Sequence, residues 1–230
     1  MAEGPAPGHV PGAEGGVGGY NEFWYERGIE LTRDKRTSLI VDPPNGRVPY
    51  RAEFQAAARI RGANISNGFA DSYTDRSLSD RCLLGFNAGP PMVSSAYNNN
   101  VLIVQTPDHV VILNEMVHDA RIIPLDGSTH GTVPQWTGVS RGHWEGDTLV
   151  VETTNFHDKA IIRGFDGDLG ENLLVVERFT RIDANAIDYQ FTVRDPATWT
   201  TTWSGSLPMT RVDSLVYEYA CHEGNRGMFN

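Results

Sequence analysis

Cysteine is nearly absent: only Cys82 and Cys221 occur in 230 residues. Two thiols cannot build a thiolate metal cage, and neither lies in a C-x-x-C pair. They allow one disulfide between an early loop and the end of the chain in an oxidising compartment. Two buried free thiols are the state expected in the cytoplasm. Basic residues are also scarce. Against 29 Asp and Glu there are 19 Lys and Arg, a formal net charge of −10, and no basic run offsets it. Phosphate is repelled by such a surface, which excludes a general nucleic-acid binder. No apolar run approaches the length that crosses a bilayer, so no membrane partner is expected. Residues 1–19 lack the basic start and apolar middle of a secretion signal. The expectation is a cytoplasmic protein, or a periplasmic or secreted one where a leader has been removed.

Several chemical signatures are missing too. His118, His130, His143, His157 and His222 stand in no H-x-H or H-E-x-x-H spacing, so no metal is expected. No serine sits in a G-x-S-x-G elbow. The segment GFDGDLGEN lacks the strand-to-helix setting of a phosphate loop. No cofactor is expected.

Residues 1–19 are rich in Gly, Pro and Ala and read as a mobile arm. Residues 20–230 read as one β-rich domain. The aromatics of residues 20–25 predict that the arm docks on the body or on a second subunit, making a homo-oligomer. Residues 37–41 predict a short strand and residues 50–61 a single helix, with Phe54, Ala57, Ala58 and Arg61 on one side. Residues 64–91 have no period and predict a long loop. From residue 98 onward the pattern is all-β. Hairpins are expected over 98–115, 140–156 and 172–194, with last strands over 198–212 and 215–222. Successive antiparallel strands with short turns favour an up-and-down, lipocalin-like barrel, with a β-sandwich as the alternative.

The 172–194 hairpin gives the sharpest inference. A three-residue turn centred on Ala184 pairs Phe179 with Tyr189, Glu177 with Phe191 and Val175 with Val193, all on one face. Glu177 then stands in an apolar row, where a bare carboxylate costs several kcal/mol. It has to pair with a cation or rise in pKa. Arg178 points the other way along the strand. The partner is therefore Arg121, His118 or a substrate. One reading is a general acid or base. The other is a buried structural Glu–Arg pair.

In the first hairpin, Thr106 opposite His109 sets Val104 against Val111, Leu102 against Leu113 and Asn100 against Glu115. Two aliphatic pairs lead to polar residues, as at the mouth of a ligand pocket. His118 can move protons near neutral pH, Asp119 can orient it, and Arg121 can steady an anion. Near the C-terminus, Glu218 and His222 fall on one strand face.

The motifs YNNNVLIVQTP, ILNEMVHDARIIPLDG, SRGHWEGDTLVVET, VVERFTRID and YEYACHEGN resemble those of a widespread bacterial family of β-rich proteins with no general activity known. The resemblance spans about residues 20–226. It implies that Glu115, His118, Arg121, Trp144, Glu145, Gly146, Asp147, Glu177, Arg178, Glu218 and Asn225 are motif positions, and that members are often exported.

Together these readings predict a cofactor-independent acid–base enzyme, a lyase acting on a small aromatic or apolar hydroxylated molecule. Glu177 or Glu115 is the expected base, with His118 and Arg121 as proton shuttle and anion support. Asn100, Tyr189, Phe191, Asp119 and His222 are the expected substrate-binding residues. The alternative is a carrier that binds an apolar ligand without chemistry.

Overall fold

Alternation of apolar and polar side chains sets the strands. In β7 (Leu174–Arg181) and β8 (Ala186–Arg194), Val175, Glu177, Phe179, Tyr189, Phe191 and Val193 turn inward while their neighbours face outward. The computed structural model describes residues 32, 35–55, 72–73, 76–95, 97–158 and 172–223. Among these, the other strands are β1 (Ile40–Asp42), β2 (Val101–Gln105), β3 (His109–Asn114), β4 (Ala120–Pro124), β5 (Val139–Glu145), β6 (Thr148–Thr154) and β9 (Trp203–Thr210).

The strands form two antiparallel sheets. One has the order β1-β9-β8-β7-β6-β5 and the other β2-β3-β4. Each strand from β2 onward therefore lies beside the next in sequence, apart from one break in hydrogen bonding, where β4 lies against β5. Gly142 of β5 makes that approach possible. A Cβ there would stand 2.8–2.9 Å from side-chain atoms of Leu125 and Ile123. The described strands do not close into a barrel, since β2 and β1 are both sheet edges.

One hydrophobic core is shared by both sheets. Val110, Ile112 and Ile123 pack with Leu149, Val151, Val175, Phe179, Tyr189, Phe191 and Trp203. An aromatic row runs through it from Phe179 by way of Tyr189, Phe191 and Trp203 to Trp199, with ring centroids 4.9–5.8 Å apart. Gly205 lets the row close up, because a Cβ there would collide with the Phe191 ring.

Both hairpin registers follow the sequence pattern. Val104 pairs with Val111, Leu102 with Leu113, Glu177 with Phe191 and Phe179 with Tyr189. The face of the first hairpin differs from the expectation. Leu102 (46% exposed), Val104 and Ile122 (63%) lie on the outer surface, and the core takes Val110, Ile112 and Asn114 instead. Both faces are aliphatic, so register alone does not say which one is covered. Residues 215–222 form no strand. They run as an irregular strap tied down by the Cys82–Cys221 disulfide. Of the expected helix over 50–61, residues 52–55 are helical, whereas Tyr50 instead bridges Trp199 and the Arg51 N–H donates to the Thr198 carbonyl at 3.0 Å. Residues 56–61 lie outside the described residues, as do the arm and its aromatics.

Candidate functional site

Arg121 and Glu177 meet between the two sheets. Arg121 follows Ala120 in β4, and β4 pairs with β3 so that Ile112 lies beside it. Its Nη1 donates to Glu177 Oε2 at 2.5 Å and its Nη2 to Oε1 at 3.1 Å. Tyr189 Oη donates to the same Oε1 at 2.7 Å and accepts the Met92 N–H at 2.8 Å. Glu177 is 0% exposed and Arg121 5%. Burial works against the Arg121 charge, but the adjacent carboxylate outweighs it and raises the guanidinium pKa. Burial, reinforced by the Glu177 charge, pushes the Tyr189 phenol well above its ordinary value. The pair is bidentate and the phenol supplies a third donor. Both carboxylate oxygens are thus engaged by protein groups.

The turn between β3 and β4 carries Glu115, His118 and Asp119. A single 3-10 turn, Met116–His118, reverses the chain there, with Val117 at φ 59° and His118 at φ 46°. Left-handed backbone at a buried β-branched residue costs about 1–3 kcal/mol, and the surrounding contacts have to hold it. They do so on two sides. Asp119 Oδ2 accepts the Gly85 N–H at 2.7 Å, and Asn114 N donates to the Asp119 carbonyl at 2.8 Å. Burial raises the Asp119 pKa, while the Gly85 N–H and then His118 pull it back. Glu115 is buried and accepts from Asn100 Nδ2 at 2.9 Å.

His118 is exposed and makes no side-chain hydrogen bond among the described residues. His222 is exposed on the strap. Of the residues expected at the site, the fold brings Glu177, Arg121, Tyr189 and Phe191 into one cluster and pairs Glu115 with Asn100. It leaves His118 and His222 on the surface, so neither joins the buried carboxylate.

A cleft of about 580 Å³ opens elsewhere, between β2 and the ends of β8 and β9. Val101 and Ile103 of β2 form one wall, and Ile187, Leu207 and Met209 form the other. One end is lined by asparagines: Asn87, Asn99, Asn100 and Asn114. The other is rimmed by the β7–β8 turn and by the residues after β9, including Arg181 and Arg211. Met92 also lines it. Its N–H bonds the Tyr189 hydroxyl, so the ionic cluster lies behind the cleft wall. Of the expected site residues, Asn100 alone lines this cleft.

Asn87, Asn114, Arg181 and Arg211 line the cleft and are not among the residues expected from the sequence. Asn114 carried a signal, because it continues the inward series of Val110 and Ile112 with an amide. Among the described residues, no group of three or more His, Cys, Asp and Glu side chains is arranged to hold a metal. No described helix is long and apolar enough to cross a membrane. The chain finds no match among protein-family models, curated proteins or solved structures.

Proposed function

We propose that the protein binds a small, largely apolar molecule in the cleft between β2 and β8–β9, and that it does so without chemistry at Glu177. The observation that carries this reading is the separation of the two features. The cleft has an apolar trough with polar ends, the composition of a small-molecule site. Glu177 lines no part of it, and both its oxygens already accept from Arg121 and Tyr189. A lyase base needs an oxygen within hydrogen-bond reach of its substrate. The geometry therefore favours the carrier reading over the lyase reading. The winding order supports an up-and-down barrel opened along β2, with the cleft as the gap. The Cys82–Cys221 disulfide supports residence in an oxidising compartment, periplasmic or secreted.

Native mass spectrometry of the protein purified from its source tests this reading. A retained, chemically unchanged small molecule is expected, and Leu207→Trp, which fills the trough, should lose it. A molecule retained by Leu207→Trp as well, or one converted during incubation, would overturn the proposal.

A further inference from the structure

The cleft is chemically lopsided, and its two ends specify a ligand. We infer that it takes an amphipathic hydroxy acid: a carboxylate at the arginine end, an aliphatic or aromatic body in the trough, and a hydroxyl at the asparagine end. This rests on the cleft reading above and adds the ligand class.

The arginine end is built by backbone pairing. Arg181 is the last residue of β7, and the Arg211 N–H donates to the Asn185 carbonyl at 2.8 Å, which fixes the chain after β9 to the β7–β8 turn. Two guanidinium groups are thereby brought to one rim of a chain whose net charge is −10. Two carboxylates stand beside them. Asp183 also lines the cleft, but its Oδ1 accepts the Asn185 N–H at 2.7 Å. Asp213 Oδ1 forms an ion pair with Arg211 Nε at 3.3 Å, but both side chains are well exposed, so solvent screening keeps that pair weak. Arg181 Nε donates to the Asp183 carbonyl at 3.0 Å rather than to a carboxylate. Two forks at one rim suit a planar carboxylate.

At the asparagine end, Asn87 is 7% exposed. Its Nδ2 donates to the Asn98 carbonyl at 2.7 Å and to Asn99 Oδ1 at 3.2 Å, which fixes the amide orientation. Its Oδ1 is left buried without a donor. A buried acceptor in that state is costly, and because Asn87 lines the cleft, a small turn of its side chain would let an incoming O–H or N–H relieve it. Between the ends, Ile103, Ile187, Leu207 and Met209 offer only apolar contact. An ω-hydroxy acid satisfies all three regions at once, whereas a fully polar sugar leaves the trough unmatched.

Titration calorimetry on the full chain tests this with three probes: 10-hydroxydecanoic acid, its methyl ester and decanoic acid. The hydroxy acid should bind about tenfold more tightly than either of the others. In the Arg181→Gln/Arg211→Gln double variant, whose exposed side chains hold no core contact, acid and ester should bind equally. Equal binding of acid and ester to the unaltered protein would overturn the carboxylate assignment. Equal binding of the hydroxy acid and decanoic acid would overturn the role of Asn87. Both results would leave the cleft reading standing. If none of the three binds, the ligand class is wrong. The cleft reading itself then fails only if the molecule retained from the source does not perturb Ile187 and Met209.

Discussion

Arg121 of β4 and Glu177 of β7 lock the two sheets together through a buried bidentate ion pair, with Tyr189 completing the carboxylate's shell. A pair of this kind is expensive to break from one side and much less so to replace as a unit. Glu177→Leu or Arg121→Met alone should each lower unfolding free energy by about 3–5 kcal/mol, because each leaves an uncompensated buried charge. The double variant should lose less than either single. Urea denaturation of the four proteins checks this, and a double variant that loses the sum of the singles would contradict it.

The same cluster sets an alkaline limit. The folded pKa of Tyr189 is raised, by burial first and by the Glu177 carboxylate second, so the native state keeps its phenolic proton where the unfolded chain has lost it. The associated stability is fully present below the ordinary value of 10.0 and falls as pH rises above it. Absorbance titration at 295 nm should show one tyrosine that ionises only with unfolding. Tyr189→Phe should remove that late step. A Tyr189 that titrates with the exposed phenols would contradict the assignment.

Gly205→Ala should destabilise the protein by about 1–3 kcal/mol, the cost of overpacking, because the added methyl meets the Phe191 ring. Combining it with Phe191→Leu should cost less than the sum of the two. Thermal unfolding of the three variants tests that non-additivity.

The Cys82–Cys221 disulfide spans 139 residues of sequence and joins the loop leading to Asn87 with the strap that follows Arg211. Cys82→Ser should cost about 2–4 kcal/mol. Dithiothreitol should lower the Tm of the unaltered protein and leave that of the variant unchanged. An unaltered Tm in reductant would contradict a disulfide that matters to the fold.

Much of this architecture could be read from residue order. Period-two alternation and the Asp183-Ala184-Asn185 turn determine the pairing of β7 with β8, and from that pairing Glu177 falls inside an aromatic row. Its need for a cation follows from the cost of a buried charge, and Arg121 supplies it. The covered face of the first hairpin was less legible, because Leu102 and Val104 on one side are as apolar as Val110 and Ile112 on the other. Which side is buried depends on the distant sheet. The strap at 215–222 looked like a strand by local composition, but no described strand pairs with it. The cleft was least legible. Its walls come from β2, the β7–β8 turn and the end of β9, which only tertiary folding brings together, and its polar residues sit in loops that carry no periodic signal.

In the proposed function, ligand occupies the cleft and leaves the Arg121–Glu177 cluster untouched. Methyl-labelled NMR during titration with 10-hydroxydecanoic acid, or with the molecule retained from the source, decides between the two places. Shifts are expected at Ile103, Ile187, Leu207 and Met209, with Ile112 and Ile123 in the core unmoved. Shifts confined to Ile112 and Ile123 would place the ligand at the ion pair and contradict the proposed function.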